Sequence, residues 1–165
     1  MLAAALGIAA CTGTTPPPVA MRSGIVATSP FEARARAAAE LRRLGFAVRE
    51  LDGSDVPTLR AELAAGGDPG WARCEGIWTT DPFSDLGQSR FVAAEGRRMI
   101  VVLRTSALPQ GTSVEVDAHT IGVYRHAFTG EPVEALCGST GVLERRLVAA
   151  AGKSPTAPST AEDRR

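Results

Sequence analysis

The chain has no excess of either charge, few aromatic rings, few cysteines and no apolar run long enough to cross a bilayer. Each shortage narrows what it can be. Leu2–Ala10 is apolar throughout, but a membrane-spanning helix needs roughly 20 such residues. Lys and Arg number 18 and Asp and Glu number 18. The surface therefore lacks the one-sided field that holds nucleic acid or strongly attracts anionic lipid. Aromatic residues make up 5% of a chain rich in alanine, a composition that reflects coding bias as readily as function. No basic residue occurs before Arg22, so Leu2–Ala10 has no basic flank of the kind that opens an export signal. No lysine-containing phosphate loop and no dinucleotide-type glycine pattern is present. There is also no internal repeat.

What is there begins with Ile8-Ala9-Ala10-Cys11, closing the apolar run. It resembles a bacterial lipobox, in which the cysteine thiol receives a diacylglycerol and the peptide before it is removed. Small residues before the cysteine let a peptidase cleft approach the backbone, and the length of Leu2–Ala10 suits a signal-peptide core. The resemblance implies a signal peptide over 1–10 and a lipidated Cys11, with residues 11–23 linking it to the domain. Thr12-Gly13-Thr14-Thr15-Pro16-Pro17-Pro18 suits a spacer between a domain and a surface. A start at Met21, with an incidental Cys11, is the alternative.

Three cysteines are an awkward number for an exported protein. Acylation of Cys11 leaves Cys74 and Cys137 as a pair able to form one disulfide in an oxidising compartment. Two reduced, buried thiols in a cytosolic protein are the other possibility. Neither cysteine has metal-ligand spacing or a histidine near it in sequence.

About 130 residues lie between the linker and the C-terminal tail, enough for one domain with a real core. Residues 24–151 are read as that domain and 152–165 as a disordered tail, since Lys153-Ser154-Pro155-Thr156 and the polar residues after it cannot form an apolar face. Gly24–Thr28 reads as a buried strand. Ser29-Pro30-Phe31-Glu32 then opens a helix, with Ser29 as cap, Pro30 at its first position and Glu32 returning the bond. Phe31, Ala35, Ala38, Leu41 and Leu44 form its inward face, and Gly45 ends it. Phe46–Leu51 is a second strand, Val56–Ala65 a second helix, and Gly76–Thr80 a third strand. Met99–Arg104 is the clearest strand. Ser113–Ala127 is an extended strand that turns at Thr129-Gly130 into Pro132–Leu136. A last helix runs to Ala150. Strand–helix–strand–helix order implies a right-handed crossover. The expected fold is α/β: three helices on a mixed sheet in two or three layers, parallel early and with an antiparallel hairpin late.

No grouping singles out catalytic residues, a metal or a cofactor. Glu115, Asp117 and His119 share one side of a regular strand, as a solvent-facing side does by default. Gly138-Ser139-Thr140-Gly141 precedes a helix and reads as its plain opening. Asp81 and Asp85 sit in turn chemistry around Pro82. Trp71 and Trp78 flank Cys74; packing on a disulfide or contact with a partner would account for either ring.

Phe46-Ala47-Val48-Arg49-Glu50-Leu51, with Val56, Leu59 and Glu62 after it, resembles a stretch of exported lipoproteins related to the curli-secretion channel. It is similar also to the activator lipoproteins of penicillin-binding proteins. Gly76-Ile77-Trp78-Thr79 and the Thr129-Gly130 hairpin match further elements in order. The resemblance implies an assembly or scaffolding protein rather than an enzyme. The expectation is a lipid-anchored envelope protein at the outer membrane, facing the periplasm, in contact with another envelope protein or its own copies through an uncovered sheet edge or the Asp81–Gly87 loop. Two other readings stay open. One is a periplasmic small-molecule-binding domain using a crevice near Thr28-Ser29 and Thr79-Thr80. The other is a cytosolic enzyme beginning at Met21.

Overall fold

The computed structural model describes residues 22–51, 56–63, 70–84 and 86–153. Cys11, the signal and linker segment before Arg22, and the tail after Lys153 lie outside the described residues.

Two long strands dominate. β7 (Gly96–Leu108) and β8 (Gly111–Arg125) pair antiparallel along their whole length, from Gly96 opposite Val123 to Leu108 opposite Gly111. Their side chains alternate strictly, as a sheet with one buried face requires. Met99, Val101, Leu103 and Thr105 point inward from β7, as do Thr112, Val114, Val116, Ala118 and Thr120 from β8. Gly111 makes the turn between them at φ +140°, and a Cβ there would lie 2.5 Å from the Val26 carbonyl oxygen. Gly111→Ala therefore meets both a strained backbone and a backbone clash. It is expected to lower unfolding free energy by about 2 kcal/mol, read as a shift of the urea midpoint.

The other strands extend this pair. β1 (Arg22–Val26) and β9 (Pro132–Ser139) share the free edge of β8, β1 against Thr112–Val116 and β9 against Thr120–Arg125. On the far side β3 (Thr58–Leu63) pairs with β7, and β2 (Ala47–Leu51) pairs with β3. The two-residue β4 (Ala72–Arg73) joins β9. Every pairing is antiparallel, and the sheet curls into a half-barrel. A separate hairpin, β5 (Ile77–Thr80) with β6 (Ser89–Val92), lies outside it.

Two helices cover one face. α1 (Pro30–Arg43) starts with the expected capping box: the Glu32 amide donates to Ser29 Oγ at 3.2 Å, and the Ser29 amide donates to Glu32 Oε2 at 3.3 Å. α2 (Val142–Gly152) buries Leu143, Leu147 and Ala151. Glu40 of α1 ties the two together, accepting from Arg43 in its own helix and from Arg146 Nε of α2 at 2.6 Å. The Arg43 hydrogen bond, reinforced by Arg146, holds the Glu40 carboxyl at about 2 against an ordinary 4.5. A depressed carboxylate stabilises the fold above its unfolded value, and that contribution fades as pH falls from about 4.5 toward 2. Glu40→Gln should cost about 1 kcal/mol at pH 7, with the difference from wild type shrinking below pH 4.5 and gone near pH 2. Paired urea titrations at several pH values check this.

This architecture corrects the α/β expectation. There are two helices among the described residues, no parallel pairing, and no crossover from Gly24–Thr28 to Phe46–Leu51. Where a second helix is expected over Val56–Ala65, Thr58–Leu63 form strand β3, and Ala64 and Ala65 lie outside the described residues. Pro57 biases Val56 toward extended backbone, and Leu59, Ala61 and Leu63 alternate inward while Arg60 and Glu62 point out. The inward face of α1 also differs: Ala33, Ala37, Ala38 and Leu41 are buried, whereas Phe31 and Ala35 are exposed. Small side chains there let the helix settle close to the sheet.

Candidate functional site

Between β3 and β7 the chain makes an excursion across the C-terminal end of β8. It is fastened at several points. Cys74 and Cys137 form a disulfide, with Cα atoms 4.5 Å apart. Thr140 donates its amide to the Trp71 carbonyl at 2.9 Å and its hydroxyl to the same group at 2.8 Å. Tyr124 Oη donates to the Glu75 carbonyl at 2.7 Å, and the Ala127 amide donates to Thr79 Oγ1 at 3.2 Å. Burial holds the Tyr124 phenol above its ordinary value, so the hydroxyl stays protonated and able to donate.

The excursion carries the hairpin of β5 and β6, and the hairpin carries most of the exposed aromatic surface. Trp78 is 69% exposed, Phe91 58%, and Phe83 and Leu86, in the connecting turn, 86% each. Trp78 and Phe91 meet edge to face at 5.4 Å. Phe91 lies so close over Gly76 that a Cβ there would come within 2.2 Å of its ring. The turn is ordered by Asp81, whose Oδ1 accepts from the Phe83 amide at 2.9 Å, and by the Asp81 amide donating to the Gln88 carbonyl at 2.7 Å. Arg90 stacks over Phe128 at 5.2 Å and fixes the hairpin's base. Four large apolar side chains thus stand in water on a braced projection, an arrangement that marks an interaction surface.

The two tryptophans divide sharply. Trp71 is buried and stacks on Phe46 at 5.7 Å; Trp78 faces solvent. Of the polar groups noted in the sequence, Glu115, Asp117 and His119 do share the sheet face opposite the helices. His119 Nε2 lies 2.9 Å from Asp117 Oδ1 without the alignment of a hydrogen bond. Among the described residues no three His, Cys, Asp or Glu side chains converge as metal ligands. Gly138-Ser139-Thr140-Gly141 is committed to structure: Ser139 Oγ hydrogen-bonds the buried Glu144 carboxylate and accepts from the Gly141 amide. Asp85 lies outside the described residues, so Asp81 alone of that pair is placed.

The crevice expected near Thr28-Ser29 and Thr79-Thr80 does not form. The Thr28 carbonyl accepts from Thr112, at the start of β8, while Thr79 bonds Ala127 beyond its end. The two sites lie at opposite ends of a 15-residue strand, and the described residues form no parallel strand pair to create a switch point.

Sequence reasoning points to the Asp81–Gly87 loop, which holds Phe83 and Leu86, as one place for a contact surface, but singles out neither side chain and misses Phe91. The available signal is three bulky apolar residues interleaved with Asp, Pro, Ser and Gly, where turn chemistry forbids burying them all. Compared with known proteins, the chain matches no family model, no curated protein and no solved structure. No helix among the described residues is long and apolar enough to cross a membrane.

Proposed function

We propose that this chain is a lipid-anchored cell-envelope protein, tethered through Cys11 and acting as an adaptor or assembly accessory through protein–protein contacts. The observation that carries the reading is Ile8-Ala9-Ala10-Cys11 at the end of a short apolar run. The cysteine pairing supports it: Cys74 and Cys137 are bonded to each other, as suits an oxidising compartment, which leaves Cys11 as the odd thiol. Thr12 stands after it where an aspartate would favour inner-membrane retention in some lipoprotein systems, so the outer membrane, facing the periplasm, is the proposed location. The tether confines the domain to a surface and raises its effective concentration for partners there. The sheet face opposite the helices offers an area for a protein partner: half-buried Ile100, Val102, Ile121 and Val123 with exposed Leu136, rimmed by the Arg98–Glu134 and Arg60–Glu62 ion pairs.

Metabolic labelling with an acyl precursor tests the tether. Wild type should take up label and sediment with membranes, and Cys11→Ser should do neither. An unlabelled, unprocessed and soluble wild type would refute the reading.

A further inference from the structure

We infer that the sheet face opposite the helices joins two copies of this chain, back to back across a two-fold axis running along β7. The inference deepens the protein–protein reading of that face, on which it rests, and does not need the lipid tether.

Three observations lead to it. The first is an apolar centre. Ile100 and Val102 project from β7 on the helix-free face, and both keep part of their surface open. β7 has β3 on one side and β8 on the other, so these side chains stand in the middle of the face. An axis along β7 lays Val102 on Val102 of the second copy and Ile100 on its Ile100. Self-matching of this kind is what a two-fold contact requires.

The second is the charge on either side of that centre. Residues directly opposite in neighbouring strands share a face, so the registers define rows across it. One row runs Arg49, Arg60, Val102, Asp117; the next runs Ala47, Glu62, Ile100, His119. The axis exchanges β3 with β8 and leaves each row in place. Arg60 then lies over Asp117 of the second copy and Glu62 over its His119, and each pair occurs twice. The usual crossing of about 30° between packed sheets displaces strands next to the axis by roughly 2.5 Å, less than one residue's rise. A long arginine absorbs that shift. Arg98 and Arg104 of β7 also meet their own copies. Glu134 lies 3.4 Å from Arg98, and Glu115 stands opposite Arg104, so acids of the same chain offset the repulsion.

The third is charge left unsatisfied in a single chain. Arg49 and Arg60 are directly opposite across β2 and β3, a like-charge pairing that destabilises a sheet. Arg60 reaches Glu62 at 2.8 Å, while Arg49 forms no ion pair among the described residues. On the other side of β7, Asp117 Oδ1 is buried and accepts no hydrogen bond. A guanidinium laid over this carboxylate supplies donors that the single chain does not. The arginines of β2 and β3 and the acids of β8 are thus complementary between copies.

Pairing in this way leaves both helix layers on the outside. On a membrane, the proposed tether would concentrate the copies and favour their encounter.

Sedimentation equilibrium tests the pairing on the full oxidised chain carrying Cys11→Ser, which removes the acyl group. The chain should pass from monomer to dimer between about 1 and 100 μM. Arg60→Glu and Asp117→Lys should each raise the dimer Kd about tenfold or more, since each sets like charges against each other. An equimolar mixture of the two variants should associate within about threefold of the unsubstituted chain. In that mixed dimer the reversed charges face each other at one contact and the original pair remains at the other. No folding defect produces such a rescue. Where a charge reversal does not fold, Val102→Cys gives a second reading. A short bismaleimide should join it to its copy on the axis, whereas Ala39→Cys, on the exposed side of α1, should stay single. A monomer throughout the range would overturn the pairing and leave both the tether and a different protein partner standing. A dimer that ignores both reversals, or that mixing does not restore, would overturn the face. So would cross-linking at Ala39 alone or at neither position. Acyl labelling of wild type bears on the tether alone.

Discussion

Replacing Cys74 and Cys137 together by alanine is expected to lower the unfolding free energy by about 4 kcal/mol, the loop-closure value for a cross-link of this span. The bond joins residues 63 apart in sequence, so it removes much of the unfolded chain's freedom. Its structural leverage is also high. Apart from the disulfide, the excursion bearing the hairpin is held by buried Trp71 and Ala72, the two-residue β4 ladder, the Arg90–Phe128 contact and individual hydrogen bonds that include those from Tyr124, Ala127 and Thr140. The double variant should melt about 15 °C below wild type. Amide exchange should accelerate first over residues 70–84 and 86–95, with β7 and β8 still protected. An unfolding free energy within about 1 kcal/mol of wild type would mean that the excursion keeps its place by its remaining packing and hydrogen bonds.

Leu103→Ala should cost about 3 kcal/mol, the usual loss when a leucine is cut back inside a core that cannot collapse around the gap. Leu103 is fully buried in β7, opposite Leu59 of β3 and Val116 of β8, both also fully buried. All three point toward the helices, so no solvent path exists to relieve the cavity. Val102→Ala is the internal control. Its side chain lies on the opposite face and is half-exposed, so its truncation should cost less than about 1 kcal/mol. Urea titrations of the two variants should show a shifted midpoint at unchanged slope for Leu103→Ala and little shift for Val102→Ala. Equal losses would contradict the assignment of the two faces.

Much of this fold is legible in the sequence where a signal is local. The Ser29-Pro30-Phe31-Glu32 start of α1, the long strands around Met99–Arg104 and Ser113–Ala127, the Thr129-Gly130 turn and the final helix all appear close to where their residues suggest. Pairing is not legible. A short apolar run such as Gly24–Thr28 fits a central parallel strand and an antiparallel strand on a long neighbour equally well. Only the register of β1 against β8 decides between them. Thr58–Leu63 misleads because Val56, Leu59 and Glu62 also fit helical spacing; the Val56-Pro57 step and the alternation of Leu59, Ala61 and Leu63 are the better guides. Misreading it as a helix creates the crossover, and the crossover creates the parallel sheet.

The candidate site is half legible. Cys74 and Cys137 are a natural pair once Cys11 is set aside. The sequence leaves the role of Trp78 open between packing and contact, and nothing local resolves that choice. Its exposure follows from the hairpin standing apart from the main sheet, a tertiary fact. Phe83 and Leu86 can be suspected from their setting among turn residues, and Phe91 only from its pairing with Trp78.

The central claim is that Cys11 carries lipid and begins the mature chain. Intact-mass analysis of the protein purified from the membranes of a lipoprotein-processing bacterium tests it most directly. The account predicts a chain lacking residues 1–10, with acyl mass on an N-terminal Cys11 and the mass deficit of one disulfide. An unmodified chain retaining residues 1–10, or one beginning at Met21, would contradict it.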